Sequence, residues 1–246
     1  IVSGGLPNAY DQDLTFPPVM AYVWALIGLH PAFALPGAEL DAGARIAMKL
    51  PATVADLGIA AALVAWFRDR PPLAVVASAG TLLLPVTWYV SAWWGQYESI
   101  FVLWAVLALL AARGDRPHVA AALLAVSLLT KPQALPLLVP FAAWVLGRGG
   151  PRLLVSSAMV GLVVTAVAWL PFILANGPLN YLASVRAHQD ETFNVLSLRA
   201  WNPWWLIQSS LAGDRFGGPH DFQSTGAGWK ASSRKQYYTL APGNTM

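Results

Sequence analysis

The residues equipped for chemistry fall into four short polar clusters and one isolated acid. Near the start, Asp11 and Asp13 stand in the run Tyr10-Asp11-Gln12-Asp13-Leu14-Thr15-Phe16-Pro17-Pro18. A carboxylate there can serve as general base toward a hydroxyl, or the Asp-x-Asp spacing can hold a metal. The alternative is that Asp13 or Thr15 caps a helix begun by Pro17-Pro18. The second cluster is Trp93-Trp94-Gly95-Gln96-Tyr97-Glu98. Its rings can stack on a sugar while Gln96 and Glu98 hydrogen-bond hydroxyls, or it is a tight turn whose Glu98 solvates the next helix start. The third is Thr130-Lys131-Pro132-Gln133, where Lys131 either snorkels to an interface or binds a phosphate. The fourth collects Arg186, His188, Asp190, Glu191, Asn194, Arg199, Asn202, Trp204 and Trp205. A solvated loop explains its charges, while Asn202 beside Trp204-Trp205 reads as an amphipathic segment re-entering lipid, with Arg186 and Arg199 suited to a lipid phosphate. Asp56 stands alone in an apolar run, as an interhelical hydrogen-bonding group or a proton relay.

These groups must be carried by elements that barely touch water. Of the 246 residues, 57% are hydrophobic and 11% charged, and there is no cysteine. Mean hydropathy is +0.53. Soluble domains carry about 25% charged residues, so this composition excludes a water-soluble globule, a disordered chain and a disulfide scaffold. The net charge of +3 comes from bases spread in pairs between apolar runs, unlike a nucleic-acid footprint, and no nucleic-acid partner is expected. No charged residue occurs between Arg70 and Glu98 or between Arg152 and Arg186. Each run exceeds the roughly 20 residues that cross a bilayer core of about 30 Å.

The expected fold class is therefore all-α, a polytopic transmembrane helical bundle. Six crossings are expected at Arg45–Phe67, Leu73–Ala92, Ser99–Ala112, His118–Thr130, Gln133–Leu146 and Leu153–Ala175. The middle three are short for a full span. Alternate connections carry paired arginines (Arg68 and Arg70, Arg113 and Arg116, Arg148 and Arg152), which the positive-inside rule assigns to the cytoplasm. The other clusters then face outward, in a multi-pass protein of the cell membrane. The same count leaves the apolar stretch Pro17–Leu35 beginning and ending outside, as a surface-lying or re-entrant helix, unless it is an ordinary span and the sidedness is reversed.

Four regions follow: 1–44, an outer loop with the acidic motif and the surface helix; 45–175, the bundle; 176–208, an outer loop and the start of a further amphipathic or membrane segment; and 209–246, a Gly/Ser-rich polar tail. The tail reads as a shortened outer loop, a disordered tail or a frame-shifted end. With residue 1 placed outside, an earlier span is expected, and the chain reads as part of a larger membrane protein.

Five motifs in order, Asp13-Leu14-Thr15-Phe16-Pro17-Pro18, Ala55-Asp56-Leu57, Gly95-Gln96-Tyr97-Glu98, Lys131-Pro132-Gln133 and Arg199-Ala200-Trp201-Asn202-Pro203-Trp204-Trp205, resemble the GT-C integral-membrane glycosyltransferases. The nearest likeness is to bacterial relatives of the dolichyl-phosphate-glucose glucosyltransferases of N-glycan assembly, over residues 10–206. The resemblance implies a polyprenyl-phosphate-linked sugar donor and a glycan, lipid or protein acceptor. It also implies inverting transfer to a hydroxyl outside the cytoplasmic membrane. The family's outer-loop base maps to Asp13, with Asp11 as substitute and Glu98 as an alternative. In the eukaryotic pattern the acid directly precedes aromatic-Pro-Pro, where Thr15 stands here. A surface-lying helix after this motif is also a family trait.

The residues fit that chemistry. Lys131, Arg186 and Arg199 are the outer bases for a phosphate leaving group, and Trp94, Gln96, Tyr97, Glu98, Gln133, His188 and Asn202 complete the expected substrate site. Because the leaving group is already a phosphate monoester, no metal or cofactor is expected. The competing reading is a transporter or flippase of a lipid-linked sugar, which would show pseudo-symmetric halves. No internal repeat is visible.

Overall fold

In the computed structural model the described residues are 5–12, 14–33 and 41–191. Among them every regular element is helical: α1 (Pro18–Ile27), α2 (Ala42–Trp66), α3 (Pro71–Leu83), the single turn α4 (Pro85–Thr87), α5 (Glu98–Arg113), α6 (Pro117–Thr130), α7 (Leu138–Trp169) and α8 (Gly177–Glu191). A π-helical segment, Trp88–Trp94, follows α4, and 3-10 turns cover Leu6–Gln12, Pro31–Phe33, Pro132–Leu137 and Leu170–Phe172. The described residues up to Tyr181 belong to one compact unit, and Leu182–Glu191 belong to a second.

Proline and the caps set the boundaries. Pro18, Pro71 and Pro117 occupy first-turn positions, where the missing N–H costs nothing. Asp41 caps α2, its Oδ1 accepting from the Ala44 N–H at 2.7 Å, so the helix begins three residues before the Arg45 expected from apolar periodicity. Pro85 holds Leu84 extended at ψ 125° and ends α3. The expected span Leu73–Ala92 is consequently two pieces bent by 46°.

Two stretches among the described residues are long and apolar enough to cross a membrane, Ala42–Trp66 and Pro132–Phe172. The second has 41 residues, or about 60 Å as one helix, roughly twice a bilayer core. It is not one rod. Gly149 (φ −147°, ψ 15°) and Gly150 (φ 67°, ψ −164°) break it before Pro151. Gly150 lies in a region that essentially only glycine enters. Arg148 reaches back to Asp115, at the start of α6, with Nη1 3.2 Å from Oδ1. Residues 138–148 therefore run antiparallel to α6. The chain then turns: His118 Nε2 and Ser156 Oγ are 2.9 Å apart, and a methyl built on Gly161 would lie 3.9 Å from Ala125 Cβ. Residues 151–169 thus run parallel to α6, and the arginine-bearing connection expected between two apolar runs is a hairpin.

The same tracing orders the whole bundle. Arg113 packs over the Trp66 ring at 4.9 Å and donates to the Trp66 carbonyl, joining the ends of α5 and α2. Arg113 and Arg68 also flank Asp69 at 3.9 and 3.7 Å. At the opposite end the Tyr97 hydroxyl donates to the Met48 carbonyl (3.3 Å), and Lys131 pairs with Glu98. The arginine connections therefore gather at one end and the Gln96, Glu98 and Lys131 turns at the other. Helix α1 has ten residues, about 15 Å, half a bilayer core. It starts beside Tyr10, and the chain after it returns to the beginning of α2, where a methyl on Gly43 would lie 3.0 Å from His30 Nε2. Both its ends lie at the Glu98–Lys131 end of the bundle.

Packing inverts the pattern of a water-soluble bundle. The buried apolar residues are mostly alanines, among them Ala52, Ala55, Ala60 and Ala62 on α2 and Ala120, Ala121 and Ala125 on α6. The large side chains point away: Ile46, Leu50, Val54 and Leu57 on α2, and Val155, Leu162, Val163 and Val167 on α7, are exposed. Small residues inside let helix backbones approach, and apolar bulk outside suits an apolar solvent.

Candidate functional site

The site is built around α1, whose adjacent residues Met20 and Ala21 enter two different buried clusters. On the Ala21 side lies Tyr10, 2% exposed, in the 3-10 turn Leu6–Gln12. Its ring meets Trp169 at 5.1 Å, Phe172 edge-on at 5.2 Å and Tyr181 at 6.0 Å. Its hydroxyl donates to the Phe16 carbonyl at 3.0 Å. Burial, reinforced by Tyr181 and Tyr22, pushes the Tyr10 phenol far above its ordinary value. This anchored ring fixes the next residue. Asp11 is exposed, and its Oδ1 accepts from Asn180 Nδ2 at 3.1 Å. Asp13 lies outside the described residues.

On the Met20 side lies the turn between the π-helical segment and α5. Gly95 (φ 77°) closes that segment, and its N–H and the Gln96 N–H both reach the Val90 carbonyl. Tyr97 packs against Trp24 with ring centroids 4.9 Å apart, and burial raises its phenol above the ordinary value. Glu98 opens α5, where a negative charge suits the helix N-terminus. One of its oxygens, Oε1, is paired with Lys131 Nζ. The other, Oε2, is buried with no hydrogen-bond partner among the described residues, as are the indole N–H groups of Trp24 and Trp104. Trp24, Tyr97 and Trp104 all pack on the Met20, Ala55 and Ile100 cluster. Such groups carry a desolvation penalty that a hydroxylated ligand would relieve.

The sequence-derived residues thus divide. Glu98 and Lys131 are brought into contact from separate turns, Gln96 and Tyr97 share the turn of Glu98, and Asp11 stands on the other flank of α1. Lys131 is already paired with Glu98, but an ammonium has three donors, so it can also meet a phosphate. Gln133 is exposed on the 3-10 turn Pro132–Leu137. Arg186 is exposed on α8, within the second unit. The side chains of Trp94 and His188, and all of Arg199 and Asn202, lie outside the described residues. Asp56, 8% exposed, accepts from Ser99 Oγ and so makes an interhelical hydrogen bond.

Three contributors are invisible to local spacing. Asn180 meets Asp11 across 169 residues of sequence. Trp24 and Trp104 sit in apolar runs, where a tryptophan reads as bulk and its N–H gives no signal. Comparison with protein-family models, curated proteins and solved structures finds no match to this chain.

Proposed function

We propose that the chain is a polytopic membrane glycosyltransferase of the GT-C type. On this reading the six apolar segments cross the membrane, the arginine end faces the cytoplasm and the Glu98–Lys131 end faces outward. The enzyme moves a hexose from a polyprenyl-phosphate-sugar to an acceptor hydroxyl. A carboxylate, Asp13 or Asp11 with Glu98 as alternative, takes the hydroxyl proton. The acceptor oxygen attacks the anomeric carbon, the sugar–phosphate C–O bond breaks with inversion, and the lipid phosphate departs toward Lys131. Arg186, Arg199, His188, Asn202, Trp94, Gln96, Tyr97 and Gln133 bind substrate.

The observation that carries this reading is the Glu98–Lys131 pair. It sets an acid with one oxygen unpartnered among the described residues beside a cation, directly after Tyr97, whose ring packs on Trp24, at the bundle end opposite the arginines. That combination suits a polyol bearing a phosphate.

The test is transfer of radiolabelled mannose or glucose from its polyprenyl phosphate by the protein reconstituted in vesicles. Wild type is compared with Asp11→Asn, Asp13→Asn and Glu98→Gln. Loss of about 10²–10⁴-fold is expected in the variant that lacks the base. Transfer that survives all three substitutions would refute the mechanism. Movement of lipid-linked sugar across the vesicle without transfer would establish the transporter instead.

A further inference from the structure

We infer that Asp56 is a positioning residue that clamps the substrate-binding turn of residues 92–98 at its base. Ser91 ends one side of that turn and Ser99 begins the other, and their hydroxyl oxygens are 2.9 Å apart. Both are buried, at 1% and 9% exposure. Ser99 spends its single proton on Asp56 Oδ1, so the proton between the serines belongs to Ser91. Donation therefore runs Ser91 to Ser99 to Asp56, tying the π-helical segment and the start of α5 to α2. Tyr97 supplies a second tether to α2 through the Met48 carbonyl at 3.3 Å. Between the two serines lie Trp93, Trp94, Gln96, Tyr97 and Glu98. Asp56 touches none of the atoms assigned to substrate, and acts by fixing the turn that carries them. A π-helical segment at this spot adds to the case, since such segments concentrate at functional sites.

The clamp can be tested without enzymatic activity, and its functional half rests on the glycosyltransferase reading. The chain has no cysteine, so an introduced thiol is the single probe. Gln96→Cys reports on the turn, and Leu179→Cys, exposed at the same end, is the control. In reconstituted vesicles a water-soluble maleimide should label Gln96→Cys about 5-fold faster when Asp56→Leu or Ser99→Ala is added, with Leu179→Cys unchanged. Asp56→Asn keeps an acceptor oxygen and should restore the parent rate. Donor KM should rise by roughly tenfold in the variants that label faster, with a smaller change in kcat. An unchanged Gln96→Cys rate in both Asp56→Leu and Ser99→Ala would overturn the clamp. So would an unchanged donor KM in a variant whose turn has loosened. Absence of transfer in wild type would instead remove the enzymatic reading and leave the labelling to decide the clamp.

Discussion

Glu98 and Lys131 lie thirty-three residues apart in sequence and meet as an ion pair that joins the start of α5 to the end of α6. Their side chains are 40% and 21% exposed. The pair is therefore neither a screened surface contact nor a dry buried one, and its worth lies between those limits. A double-mutant cycle with Glu98→Gln and Lys131→Met should give a coupling of about 1 kcal/mol. Each single variant should be less stable than additivity with the double variant implies. The measurement is the thermal midpoint in detergent, and a coupling near zero would show that the pair holds nothing together.

Alkaline stability is set in part by Tyr10. Its phenol is kept protonated in the fold by burial, with Tyr181 and Tyr22 adding to the effect, while an unfolded tyrosine ionises near pH 10.0. Below that pH both states carry the proton and the contribution is fully present. As pH rises above it the unfolded state alone loses its proton, and stability falls by up to about 1.4 kcal/mol per pH unit for this group. Tyr10→Phe should cost about 1 kcal/mol at neutral pH through the lost bond to the Phe16 carbonyl. It should also flatten the decline between pH 10 and 12, and thermal midpoints against pH would read both effects.

Glycine substitutions should separate by site. At Gly177 a methyl would meet Phe172 Cβ at 2.6 Å and its carbonyl oxygen at 2.9 Å. Gly177→Ala should therefore disturb the Tyr10 cluster and loosen Asp11. Gly150→Ala meets no atom within 4 Å among the described residues, but forces alanine into a glycine-only conformation at φ 67°, at a cost of about 1–3 kcal/mol. Gly80, inside α3 with nothing among the described residues within 4 Å, should accept alanine with a gain of up to about 1 kcal/mol. Thermal unfolding of the three variants tests the order.

The indole N–H groups of Trp24 and Trp104, unpartnered among the described residues, should matter for binding and not for stability. Trp24→Phe and Trp104→Phe remove an N–H that has no partner among the described residues, so stability should stay within about 1 kcal/mol of wild type. Affinity for the sugar-phosphate donor should nevertheless fall by roughly tenfold in at least one of them. Equal donor binding by both variants, measured by calorimetry, would remove these N–H groups from the site.

Much of this arrangement is legible because it is written in punctuation. Pro17-Pro18 marks the start of α1, and the paired Arg148 and Arg152 mark the connection between two apolar runs that the backbone makes as a hairpin. The shortness of α5 and α6 is equally plain, at 16 and 14 residues. Other features depend on partners that sequence spacing does not reveal. The run from Leu73 to Ala92 reads as one span because its apolar character continues across Pro85, although the backbone bends there. Asp41 caps α2 but stands beyond the apolar periodicity. At the site, the turns bearing Glu98 and Lys131 are visible separately, whereas their pairing depends on how α5 and α6 pack. The contact of Asn180 with Asp11 depends on the whole bundle closing.

The alanine-lined interior has a consequence for tolerance to change. In a water-soluble bundle, trimming a large apolar residue opens a cavity, and adding a methylene at the surface is harmless. Here Leu57→Ala or Val163→Ala removes atoms that face outward and should leave no void. Ala55→Leu or Ala121→Leu must instead push two helices apart. Variation in this chain should therefore be permissive in its largest residues and narrow in its smallest.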